Sequence, residues 1–88
     1  MAKEEKMDRE EFVKNNWRYL ETLSSVYARK FFAEKDDLVQ EGALGILEAF
    51  DVYSGKIGGS GLVRLAKRVA NRKMYDFVKK ELRARRFL

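Results

Sequence analysis

One stretch, residues 37–50, constrains the fold of this chain more than any other segment, because it has the spacing of an amphipathic helix. Apolar or small residues recur along it at steps of three and four, which is the period of an α-helix. The apolar side consists of Val39, Gly42, Ala43, Ile46, Ala49 and Phe50, and Tyr53 continues it. The opposite side consists of Asp37, Gln40, Glu41, Leu44, Leu47 and Glu48. The pattern predicts a helix that buries one side, where small residues let a neighbouring helix come close.

The opposite side of this helix is acidic but carries two leucines, Leu44 and Leu47. Acidic residues around an apolar pair fit a docking surface for a basic, partly apolar partner. Single leucines on a solvated face are also ordinary. Spacing alone leaves both interpretations open.

Length and composition exclude several classes of protein. Eighty-eight residues are enough for one domain, so we expect residues 1–88 to form a single unit. Cysteine and histidine are absent, which removes disulfides, thiol chemistry and the usual zinc sites. No pair of groups has the spacing of an acid–base or nucleophilic site. We therefore expect a protein that is not an enzyme and that binds no cofactor or metal.

The hydropathy pattern predicts a cytoplasmic protein without a membrane partner. The first eight residues are charged and lack an apolar core, so they do not resemble a signal peptide. No apolar run approaches the roughly 18 residues that a membrane span needs.

Charge is divided unevenly along the chain. Residues 64–88 contain ten Lys/Arg against Asp76 and Glu81, a net charge of +8, whereas residues 1–63 contain nine Lys/Arg against twelve Asp/Glu, a net charge of −3. This division predicts one end that binds a polyanion and another that binds a different partner. Nucleic acid is the commoner polyanion, and an anionic membrane surface is the rival.

The periodicity predicts an all-α fold of three helices, over about 8–33, 37–53 and 62–85, with a basic tail at 83–88. Asp8 and Glu11 have the spacing of a capping box for the first helix. In that helix we expect Trp17 in the core or at its edge. Four glycines between residues 53 and 61 predict the one loop of the chain.

The third predicted helix has a basic side with the components of a nucleic-acid-binding surface. That side consists of Arg64, Lys67, Arg68, Asn71, Tyr75 and Lys79, with Arg72 at its boundary. Lysine and arginine neutralise phosphates, arginine and asparagine read base edges, and tyrosine stacks on unpaired bases. We expect this side to bind nucleic acid, although the spacing does not separate duplex from single strand. Lys73 falls inside the apolar arc of the helix and has no explanation from the sequence.

Two segments give the chain a resemblance to a known family. Residues 37–42 read Asp-Leu-Val-Gln-Glu-Gly, and Leu-Gly-Ile-Leu follows at 44–47. Residues 68–71 read Arg-Val-Ala-Asn, and Asp-Phe-Val-Lys-Lys follows at 76–80. These runs resemble region 2 of bacterial sigma factors of the sigma-70 type, and the resemblance extends over about residues 12–80.

The resemblance implies two partners. The family's acidic helix binds the clamp helices of the large RNA polymerase subunit, and the matching positions here are Asp37, Gln40, Glu41 and Leu47. Leu44 joins them because it shares their side of the helix. The family's basic helix contacts the −10 promoter element, where the positions of Arg72 and Tyr75 face upstream base pairs.

The chain also departs from the family's pattern. Sigma factors carry several aromatic residues just after the loop, but residues 58–62 are four small residues and a leucine, so base capture there is in doubt. No segment resembles the family's −35 reader. We therefore expect one half of a split sigma factor that acts with a second sigma-like subunit. A small phage or mobile-element regulator, or a domain excised from a longer sigma factor, would have the same parts. The alternatives are an adaptor or sequestering protein that occupies the polymerase clamp or a partner helix without reading DNA, and a plain helical DNA-binding domain.

Overall fold

The computed structural model describes residues 8–86, and within that range the chain contains four α-helices and no strand. The helices are α1 (Arg9–Asn15), α2 (Trp17–Phe31), α3 (Lys35–Tyr53) and α4 (Gly59–Arg86). The expectation of an all-α chain is confirmed, and the expected number of three helices is wrong. Residues 87 and 88 of the predicted basic tail lie outside the described range, whereas residues 83–86 belong to α4.

The predicted helix at 8–33 is divided in two by Asn16. Asp8 caps α1 as expected, because its Oδ1 accepts a hydrogen bond from the Glu11 backbone N–H at 2.9 Å. Asn16 is buried, and its side-chain Nδ2 donates to the Phe12 carbonyl at 2.8 Å. The Asn16 backbone N–H bonds to the Val13 carbonyl instead. In a continuous helix the Asn16 backbone N–H would donate to the Phe12 carbonyl. Here the Asn16 side chain donates to that carbonyl instead, so α1 ends at this point.

A side chain near the C-terminal end of α4 stabilises the turn between α2 and α3. Phe32 ends α2 in a left-handed backbone conformation, with φ of 56°, and its side chain is 83 % exposed. Arg85, near the end of α4, donates hydrogen bonds to the Phe31 and Phe32 carbonyls at 3.3 and 3.0 Å. A cation at a helix C-terminus satisfies carbonyls that have no partner within the helix. The end of α4 is therefore part of the fold.

The core lies mainly between α3 and α4, with Leu20 of α2 and Phe12 of α1 added to it. On α3 the structure buries Leu38, Val39, Gly42, Gly45, Ile46 and Ala49. Of the predicted apolar side, Ala43 and Phe50 are half-buried and Tyr53 is exposed. A Cβ atom placed on Gly45 would lie 2.9 Å from the Cα atom of Ala70, so the two helices approach closely at this glycine.

The buried residues of α4 explain the position of Lys73. They recur every four residues, as Leu62, Ala66, Ala70, Met74 and Val78. Because four residues turn a helix through about 400°, this line winds slowly around the helix axis. Lys73 lies beside it, with its stem over Gly45 and its Nζ 3.5 Å from a Glu48 carboxylate oxygen. The lysine thus covers apolar surface and reaches an acidic partner at the edge of the core.

Two other expectations concern the surface. Trp17, expected in the core or at its edge, is the first residue of α2 and is 42 % exposed. None of the helices between residues 8 and 86 is both long and apolar enough to cross a membrane.

Candidate functional site

The predicted docking residues lie on one side of α3, and we call them the acidic face: Asp37, Gln40, Glu41, Leu44 and Leu47. Asp37 and Gln40 are exposed, Glu41 and Leu47 are half-buried, and Leu44 is 55 % exposed. The opposite side of α3 supplies the core, so burial of that side holds the acidic face towards solvent. The acidic face therefore presents apolar and acidic groups together.

Acidic residues farther along α3 are neutralised within the fold. Glu48 pairs with Lys73, and Asp51 accepts hydrogen bonds from Arg9 at 2.8 and 3.1 Å. The hydrogen bond to Asp51, and then its negative charge, raise the pKa of the Arg9 guanidinium. Asp37 and Glu41 have no ion pair within residues 8–86. The uncompensated negative charge of α3 is therefore concentrated in its first two turns.

The predicted nucleic-acid residues lie along α4, and we call them the basic face: Arg64, Lys67, Arg68, Asn71, Arg72, Tyr75 and Lys79. All are exposed except Lys67, which is half-buried, and Tyr75 exposes 48 % of its surface. The ammonium group of Lys79 lies 5.4 Å from the centre of the Tyr75 ring. This contact combines a cation with an aromatic surface, and both can meet a nucleotide.

Helix α2 adds two tyrosines to the basic face that sequence reasoning missed. Tyr27 donates its hydroxyl hydrogen to Asn71 Oδ1 at 2.8 Å, which orients the amide and leaves its nitrogen free to donate. Tyr19 donates to the Lys67 backbone carbonyl at 3.2 Å, and the Lys67 ammonium lies 5.0 Å from the centre of the Tyr19 ring. Two members of the basic face are thus held in position by neighbouring rings.

A third ring extends this surface along α2. The rings of Tyr27 and Phe31 are stacked with centres 5.9 Å apart and planes inclined by 24°, and Lys30 lies 5.6 Å from the Phe31 ring centre. Burial, and then the neighbouring Tyr75, raise the pKa of Tyr27. Cations beside aromatic rings are the groups that hold single-stranded nucleic acid, and here the three α2 rings are half-buried and pack against the core. Rings from α2 therefore stand beside the basic face, although the expected aromatic residues after the loop are missing.

A cleft of 380 Å³ separates the acidic face from the C-terminal half of α4. Glu41 lines it from α3, and Phe77 is half-buried in it. Its charged residues from α4 are Lys73, Asp76, Lys79, Lys80 and Arg83. The cleft therefore contains acidic and basic groups together.

Metal chemistry and known relatives add nothing to these surfaces. No group of three or more potential acidic, histidine or cysteine ligands is gathered between residues 8 and 86 in a way that could hold a metal ion. Searches with protein-family models, among curated proteins and among solved structures found no match to this chain.

Proposed function

We propose that this chain is a transcription initiation factor of the sigma region 2 type. It docks on the clamp helices of bacterial RNA polymerase through the acidic face and contacts −10 promoter DNA through the basic face. The observation that carries the proposal is that α3 and α4 pack closely together, yet expose surfaces of opposite charge.

The acidic face supports the polymerase half of the proposal through its charge and its exposed leucine. Asp37 and Glu41 are not neutralised within residues 8–86, so both remain available to a basic partner. Leu44 stands exposed on the same side of α3. An apolar centre with a charged rim is the usual arrangement of a protein–protein interface.

The basic face supports the DNA half of the proposal. The basic face contains five Lys/Arg and no Asp/Glu, and a duplex attracts such a surface strongly at low salt. Asn71, whose amide is oriented by Tyr27, can donate to a base edge. Tyr75, which is exposed, can stack on a base that leaves the duplex. The surface thus combines phosphate contacts with groups that contact bases.

The test is capture of purified bacterial core RNA polymerase on the immobilised chain. Wild type should retain polymerase, and Glu41→Lys should lose it, because an acidic contact reverses sign. Glu10→Lys is the matched control, since Glu10 is an exposed acidic residue on α1 with the same change of charge. It should retain polymerase.

The alternatives predict other results. A plain DNA-binding domain would bind DNA but not retain polymerase. A sequestering adaptor would retain polymerase in a Glu41-dependent way but would not bind −10 DNA. Equal retention by wild type and Glu41→Lys would refute docking through the acidic face.

A further inference from the structure

Unpaired charges of both signs line the cleft between α3 and α4. Glu41 is half-buried there, while Asp76, Lys80 and Arg83 are exposed. Within residues 8–86 none of these four side chains forms an ion pair or a hydrogen bond. Lys73 differs from them because Glu48 already occupies its ammonium group. Lys79 also lines the cleft, where its ammonium group contacts the Tyr75 ring and forms no ion pair within residues 8–86. The cleft therefore offers two carboxylates and three cations that are not paired within the described residues.

This mixture of signs disfavours a partner that carries charge of one sign only. A nucleic-acid backbone in the cleft would bring phosphates against Glu41 and Asp76, and like charges brought together are unfavourable. A purely basic protein segment would meet the same repulsion from Lys80 and Arg83. A partner that fills the cleft must carry charges of both signs.

The position of the cleft fits a protein helix. Glu41 lines it from α3 and the other six lining residues lie along α4, so a partner helix laid beside α4 would contact both helices. Phe77, which is half-buried against the core, also lines the cleft and supplies an apolar contact between the charged groups. Lys80 and Arg83 are three residues apart on α4, so one acidic side chain of a partner can reach both.

We propose that the docking surface continues from the acidic face across this cleft onto α4, and that the partner helix there carries both a basic and an acidic residue. The basic residue meets Glu41, and the acidic residue meets Lys80 and Arg83. The inference rests on the proposed function, because it takes that partner helix to be one of the polymerase clamp helices. It assigns Lys80 and Arg83 to polymerase rather than to DNA.

The test compares two double charge reversals in the full chain. Lys80→Glu with Arg83→Glu changes the cleft, and Arg64→Glu with Arg68→Glu changes the basic face by the same total charge. Affinity for core RNA polymerase and affinity for a short −10 duplex are measured for each. Reversal in the cleft should weaken polymerase binding by about tenfold or more and spare DNA binding relative to the other variant. Reversal on the basic face should give the opposite pattern.

Three results would overturn this inference, and they differ in what they say about the proposed function. If wild type binds polymerase, Glu41→Lys does not, and the cleft reversal binds normally, only the extension onto α4 is wrong. If the cleft reversal loses DNA and keeps polymerase, Lys80 and Arg83 belong to the basic face. If wild type does not bind polymerase, the proposed function fails as well. Should a reversal unfold the chain, Lys80→Gln with Arg83→Gln gives the same comparison.

Discussion

Replacing Gly45 by alanine tests the packing that holds the two charged surfaces together. A Cβ atom at this position would lie 2.9 Å from Ala70 Cα, 3.0 Å from Ala70 N and 3.1 Å from Lys73 Cγ. The first two atoms are backbone, so relief requires α3 and α4 to move apart. Overpacking of this kind costs about 1–3 kcal/mol. The higher helix propensity of alanine returns about 1 kcal/mol, which leaves a net destabilisation of about 1 kcal/mol.

Gly55→Ala is the matched control. No atom lies within 4 Å of a Cβ placed there, and Gly55 does not have a positive φ. We expect this variant to gain about 0.4–1 kcal/mol, because alanine restricts the unfolded chain.

Urea unfolding followed by circular dichroism gives the free energy of unfolding of both variants. If the dependence of that free energy on urea concentration is the same as in wild type, the variants differ from wild type in stability alone. In thermal unfolding, a loss of 1 kcal/mol corresponds to a decrease in Tm of about 4–8 °C for a domain of this size. Gly45→Ala should unfold at lower urea than wild type, and Gly55→Ala at equal or higher urea. A Gly45→Ala variant stabilised as much as Gly55→Ala would refute the close approach of α3 to α4.

Three further predictions concern the rest of the chain. Phe32→Gly should stabilise the fold by about 0.5–1 kcal/mol in urea unfolding, because glycine removes the cost of a left-handed backbone and the lost side chain is exposed; lower stability would contradict this. Tyr19 and Tyr27 have raised pKa values, chiefly from burial, so the stability they contribute is complete below pH about 10 and is lost as the pH rises through their folded pKa values. Absorbance titration of the phenolates, with unfolding measured at each pH, checks this, and ionisation of both at the ordinary value would oppose it. Arg72→Ala and Tyr75→Ala should weaken binding of −10 DNA in gel-shift assays and leave polymerase affinity unchanged, whereas unchanged DNA binding by both would remove the basic face from the account.

The all-helical fold was accessible from the sequence because its signals are local. Three-and-four spacing, the absence of proline and a glycine cluster each act within a few residues. The break at Asn16 was not accessible, because it depends on one buried amide taking the Phe12 carbonyl from its own backbone. The early start of α4, at Gly59 rather than residue 62, was missed because glycine is a poor guide to helix ends in a glycine-rich segment.

The candidate surfaces could also be predicted only where they depend on a single helix. The acidic face follows from the period of a single helix, so spacing was sufficient to group Asp37, Glu41 and Leu44. The contribution of Tyr19 and Tyr27 depends on how α2 packs against α4. The spacing of residues within one helix carries no information about that packing. The position of Lys73 was missed for a similar reason. The buried residues of α4 wind slowly around the helix axis, so a prediction that assumes one straight apolar side places Lys73 inside that side rather than beside it.

The most direct test of the central claim is equilibrium binding of this chain to purified bacterial core RNA polymerase. The account predicts saturable binding at one chain per polymerase, and a loss of affinity of about tenfold or more in Glu41→Lys. No saturable binding by wild type, or equal affinity for the two proteins, would contradict the claim that the acidic face docks on polymerase.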